Sequence, residues 1–266
     1  MIIAFLLSLV SIGAVETTRP STELTTPTTM DAALAEEVGA WMMHYYRHPE
    51  PREVARRVKE MSRAGLLGKE DSSLMTAAFW SRVFADNNEQ LAEWADVIDT
   101  LSPAEQKTMW RAVHWSQADA GRELLRRRAE VGDRRAGFLK KLLEDRVPDF
   151  KAMDRPSPQA LDACWSLFFA SGDSAYVETV VRCALRDVEG ELRDVGAKNG
   201  KLTTADIAPY AARWSVVSLC EQDDRVKEVV ERFRREKATP EQLAVWDDRI
   251  KRTEPQDQPT ATQPSK

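Results

Sequence analysis

The chain has 266 residues, 42% of them apolar and 30% charged, with a formal net charge of −5 at pH 7. That balance reads as a soluble globular protein, and the length holds one or two domains with ample core. The mild acidic excess argues against a nucleic-acid partner.

The first residues, Met1 to Ala14, are almost wholly apolar and end in small residues. The run is short for a bilayer span and fits the apolar core of a secretory signal peptide over 1–14, with cleavage after Gly13 or Ala14. No Lys or Arg precedes it, so an uncleaved anchor or a displaced start are the alternatives. A periplasmic or secreted location is the expectation. From Val15 to Met30 the chain is rich in Thr, with Pro20 and Pro27, and it reads as a disordered linker over 15–30. The stretch Thr253 to Lys266 has the same character and reads as a disordered tail.

Between them, 31–252 reads as a string of helices. The first is expected from about Asp31 to Tyr46, broken by His48-Pro49-Glu50-Pro51. The second carries Val54, Val58 and Met61 on one face and stops at Gly65 or Gly68. The third presents Met75, Ala78, Phe79 and Val83, up to Asn87-Asn88. Leu91, Trp94, Ala95, Ile98 and Leu101 follow a 3.6-residue period.

Three sites place a hydroxyl directly before a proline: Ser102-Pro103, Ser157-Pro158 and Thr239-Pro240. The hydroxyl caps an orphan N–H, and proline costs nothing at the first helical position. Glu105 and Gln242 complete capping boxes at two of them. The Ser102 site opens a helix with Met109, Trp110 and Val113. Leu124 to Leu143 holds one or two helices around Gly132. A possible subdomain break lies near 146–156, punctuated by Pro148, Asp154 and Pro156.

Beyond it, Leu161, Trp165, Phe168 and Phe169 share one helical face. Val177, Val180, Val181, Ala184 and Leu185 form the next stripe. Thr203 heads a further capping box, and Ile207, Tyr210, Ala211, Trp214 and Val217 form the stripe expected to face the core. Val226, Val229, Val230 and Phe233 make one more helix; Leu243, Trp246 and Ile250 make the last.

No segment alternates in the manner of a strand, so the fold class is all-α. Short helices on short loops are expected to pair antiparallel and stack as an irregular α-solenoid, with a compact multi-helix bundle as the alternative.

Three segments carry a resemblance. They are Trp165-Ser-Leu-Phe-Phe-Ala-Ser-Gly-Asp173, Ala211-Ala-Arg-Trp-Ser215 and Tyr46-Arg-His-Pro-Glu-Pro51. Together they resemble a group of uncharacterised, exported, all-helical bacterial proteins. The similarity spans Met42 to Phe233. It implies the helical fold and export, and it brings no activity and no catalytic residues.

Candidate chemistry is sparse. His44 and His48 are four apart, but Pro49 ends the helix and no His-Glu-x-x-His frame exists, so neither a metal nor a cofactor is expected. Cys164 and Cys183 lie near apolar faces of consecutive helices and form a possible disulfide if exported, with buried thiols as the alternative; Cys220 is the odd one. Trp94, Trp165, Trp214 and Trp246 are assigned to the core, whereas Trp41, Trp80, Trp110 and Trp115 are less securely internal. Arg126, Arg127 and Arg128 peak in a basic stretch that either forms a solvated helix face or meets acidic partners or anionic lipid. The N-terminal apolar segment is the other possible membrane contact. Ser171-Gly172-Asp173 has a structural reading: Gly172 ends one helix and Asp173 caps the next. Trp165, Phe169, Gly172, Asp173 and Trp214 are therefore structural motif residues. The function these features favour is a non-enzymatic scaffold or protein-binding module. A glycan-acting envelope enzyme and a cytoplasmic adaptor are the rivals.

Overall fold

The structure is a computed structural model that describes residues 29–132, 135–186 and 204–250. The expected signal peptide, the C-terminal tail, nearly all of the linker and the Thr203 cap lie outside these residues. Among the described residues there are twelve α-helices and no strand. The chain divides into two compact units: residues 29–153 with 159–176, and residues 154–158 with 177–250.

The first unit holds α1 (Thr29–His44), α2 (Val54–Arg63), α3 (Glu70–Asp86), α4 (Leu91–Asp99), α5 (Pro103–Trp115), α6 (Asp119–Glu130), α7 (Ala136–Glu144) and nearly all of α8 (Pro158–Ser171). The helix boundaries follow the punctuation. Gly65 closes the turn after α2 at φ +66°, and α6 and α7 separate at Gly132, φ +74°. Ser102 heads α5 with its capping box formed, its N–H donating to Glu105 Oε2 at 2.9 Å. α1 begins two residues before Asp31, so Asp31 lies inside the helix.

Helices pack on their chain neighbours and on the helix after next. α4 meets α2, α5 and α6, while α5 meets α3, α6 and α7. Their apolar stripes merge into one core that includes Val58, Met61, Phe79, Leu91, Ile98, Met109 and Leu139. An aromatic chain runs through it. Trp41, Tyr45, Phe79, Trp80, Phe84 and Trp94 touch in sequence, with successive ring centroids 5.2–5.8 Å apart. Trp80 and Trp110, less securely internal by sequence, are 0% and 1% exposed.

α8 differs from the stripe its sequence suggests. Besides Leu161, Trp165, Phe168 and Phe169, it buries Ala163, Cys164, Ser166, Leu167 and Ala170. It is enclosed on every face, as a helix with few charged residues must be.

α9 (Ser174–Ala184) crosses from the first unit to the second. The second unit continues with α10 (Thr204–Gln222), α11 (Asp224–Glu236), α12 (Pro240–Val245) and a π-helical turn over Trp246–Ile250. Asp223 caps α11 by accepting from the N–H groups of Arg225 and Val226 at 2.8 and 3.2 Å. Thr239 caps α12, accepting from Gln242 N–H at 3.3 Å and donating its own N–H to Gln242 Oε1 at 3.0 Å. α10 packs on α11, whose Val226, Val229, Val230 and Phe233 are buried.

Candidate functional site

In the first unit, two of the sequence motifs meet. Tyr46 follows α1 and donates its N–H to Phe169 O at 2.9 Å. Its ring lies 5.1 Å from Phe168 and covers Gly172. Gly172 has φ +69°, the left-handed conformation that ends α8. Ser171 Oγ then accepts from Asp173 N–H at 3.1 Å, and Asp173 Oδ1 accepts from Ala175 N–H at 2.9 Å. Asp173 is thus the cap that the sequence suggests.

Lys151, which pairs with this aspartate, lines a cleft of about 340 Å³. Trp115, Gln117, Phe150, Lys151, Leu167 and Tyr176 are among its lining residues. The loop after α7 builds one wall. His114 Nε2 donates to Asp145 O at 3.0 Å, and Asp149 Oδ1 accepts from the N–H groups of Lys151 and Ala152. That turn aims Phe150 at Trp115, ring to ring at 5.7 Å, and lets Lys151 Nζ reach Asp173 Oδ2 at 2.5 Å. The ammonium also stands 4.8 Å from the centre of the Tyr176 ring. Gln117, also on the lining, lies in the left-handed region at φ 56°.

Both charged residues of the lining have partners: Lys151 has Asp173, and Asp149 has the Lys151 and Ala152 N–H groups. The bond to Asp173 raises Lys151 above its usual range. Burial pushes the Asp173 carboxyl up, but the Lys151 hydrogen bond and the Ala175 N–H outweigh it and hold the group below its usual range. Burial raises the Tyr176 phenol. Lys151 and Tyr176 were not legible as site residues. The one signal was a buried aromatic, Phe150, in a stretch without helical period.

In the second unit the sequence assignment of Trp214 to the core is overturned: it is 40% exposed, beside Ile207 at 51% and Tyr210 at 47%. α10 turns Ala208, Ala212, Val216 and Leu219 inward instead. Alanines allow the close approach of α11 that bulky rings would block. Ile207, Tyr210 and Trp214 lie at i, i+3 and i+7 and form one outward face. Arg213, in the same Ala-Ala-Arg-Trp-Ser motif, is 8% exposed. Its guanidinium donates to Ala184 O at 2.8 Å and Arg186 O at 2.7 Å, closing the C-terminal end of α9. It also lies 5.5 Å from the Tyr210 ring centre, which fixes one edge of the exposed face.

The remaining sequence candidates separate. All three cysteines are thiols, so the suggested Cys164–Cys183 bridge is not formed; Cys164 and Cys183 are buried, and Cys164 Sγ is directed at Phe150 O, 3.7 Å away. Burial, reinforced by Glu231, pushes the Cys220 thiol up to about 11. Arg126 and Arg127 pair with Glu123 on their own helix, and Arg128 reaches Asp99 at 2.8 Å on α4. His44 Nδ1 donates to Ala40 O at 2.8 Å. Among the described residues no group of His, Cys, Asp or Glu is placed to hold a metal ion. No helix among them is long and apolar enough to cross a membrane.

No protein-family model matches the chain, and no curated protein or solved structure is significantly similar to it.

Proposed function

We propose that this chain is a non-enzymatic helical binding module of the bacterial envelope that takes a protein partner on the Ile207–Tyr210–Trp214 face. The observation that carries the reading is the exposure of these three large apolar side chains on an ordered 19-residue helix whose opposite side is buried. Trp and Tyr are among the side chains that dominate protein–protein binding energy. An apolar helix or extended segment of a partner fits such a strip. The envelope assignment rests on the apolar N-terminal run and on the resemblance to exported proteins. In the first unit, the packing of each helix on the next and on the one after supports an irregular solenoid of paired helices. An enzyme acting on glycan finds less support. The carboxylate on the cleft lining, Asp149, accepts from the N–H groups of Lys151 and Ala152, and Lys151 is itself bound to Asp173.

The test is a photo-crosslinking residue at Tyr210 in the full chain, exposed to envelope extract. One discrete protein adduct is expected, lost when Ile207 and Trp214 are both changed to Glu with the melting temperature kept. No adduct, together with soluble products released from cell-wall glycan, would show the reading to be wrong.

A further inference from the structure

Within the first unit, a second cavity of about 50 Å³ opens between α1, α2, α3 and α8. Met42, Met43, Met61 and Met75 line it, with Thr76 and Ser166 among the remaining residues. No charged residue is on its wall. Thr76 is 0% exposed and Ser166 1%, yet neither hydroxyl has a hydrogen-bond partner. Buried hydroxyls are nearly always bonded, so two on the wall of one apolar cavity call for an oxygen between them. Both sit on helices, where a hydroxyl ordinarily turns back to a carbonyl of the preceding turn. Ser81 Oγ does so, to Ala78 O at 2.7 Å.

We propose that this cavity binds the oxygen-bearing end of a small neutral aliphatic molecule: an alcohol, aldehyde or ketone. Apart from Thr76 and Ser166, the residues of its wall are apolar. Thr76 and Ser166 are fully buried, whereas Met43 and Met75 are half-buried. A linear ligand therefore enters oxygen first, with its alkyl part among thioethers that adapt to its shape. Size limits the class further. An apolar cavity of about 150 Å³ can enclose benzene, so this one, a third of that volume, takes the leading heavy atoms and leaves the rest of the chain at the mouth. Charge limits it too. With no cation on the wall, a carboxylate would lose its hydration without compensation.

The experiment uses the purified full chain and 1-hexanol, 2-hexanone and hexanoate as probes, followed by ligand-observed NMR. Saturable binding of 1-hexanol and 2-hexanone in mutual competition is expected, with hexanoate at least tenfold weaker. Thr76→Val and Ser166→Ala keep the shapes of the side chains and remove the hydroxyls. Each is expected to weaken 1-hexanol at least tenfold at an unchanged melting temperature. Met43→Trp leaves the hydroxyls in place and closes the mouth, and is expected to abolish binding. The absence of saturable 1-hexanol binding, as when the hydroxyls hold only water, overturns the proposal. So does equal affinity for hexanoate, or binding indifferent to Thr76→Val, Ser166→Ala and Met43→Trp.

Discussion

The edge of the Tyr46 ring fills the space that a side chain at residue 172 would need: a Cβ on Gly172 would lie 2.9 Å from Tyr46 Cδ2. Two demands for glycine coincide there, because φ is also +69°. Gly172→Ala is expected to cost about 2–4 kcal/mol, combining left-handed strain with overpacking. Tyr46→Ala in the same chain removes the clash but not the strain, so the double variant should recover part of the loss. Additive losses in a double-mutant cycle measured by urea unfolding would show that the ring and the glycine are not coupled.

Tryptophans on the two units should separate sharply in their effect on stability. Trp165→Ala removes a ring that is 2% exposed and should cost about 3–5 kcal/mol, as should Trp80→Ala at 0% exposure. Trp214→Ala, 40% exposed, should cost about 1 kcal/mol or less. Thermal and urea unfolding of the three variants checks the ranking, and a Trp214 loss as large as that of Trp165 would return Trp214 to the core.

The pair of Asp173 and Lys151 makes a pH-dependent contribution. Asp173 is lowered on folding, so its part is present above its unfolded pKa, near 4, and is lost as pH falls through the folded value. Lys151 is raised, so its part is present below its unfolded pKa, near 10.4, and is lost as pH rises through the folded value. Asp173→Asn retains a capping side chain and removes the charge. The stability difference between wild type and this variant should therefore be greatest between about pH 5 and 9 and shrink at both ends. A difference that stays constant from pH 2 to 11 would show the ion pair to be idle.

Arg213 closes the end of α9 with two hydrogen bonds from a buried guanidinium. Arg213→Met leaves the Ala184 and Arg186 carbonyls without these donors and should cost about 2–4 kcal/mol, given the strength of charged hydrogen bonds. Lys cannot reproduce the fork, so Arg213→Lys should recover less than half. Hydrogen exchange should show the last turn of α9 opening first in both variants. Unchanged protection there would remove the capping role.

Alkylation under denaturing, non-reducing conditions should add three labels per chain, one for each thiol. On the folded protein at pH 8, Cys220 should react far more slowly than a free thiol, because its raised pKa leaves little thiolate. Two missing labels, restored by reductant, would mean that a disulfide forms in solution.

Local signals fixed the element order. The Ser102 and Thr239 caps, the breaks at Pro49 and Gly65, and the Gly172-Asp173 turn act within a few residues, so they are readable from neighbours in the chain. Spacing also marked Val58, Ile98 and Phe233 as inward, since a stripe on an amphipathic helix has one way to face a core. The sequence could not choose the inward side of α10, where alanines on one side compete with Ile207, Tyr210 and Trp214 on the other. Hydrophobicity favours the large residues, but close helix packing favours the small ones, and only the presence of α11 decides between them. The meeting of Lys151 with Asp173, and the place of Thr76 and Ser166 on the wall of one cavity, were illegible for the same reason. Each joins residues far apart in the chain, and chain folding alone sets that distance.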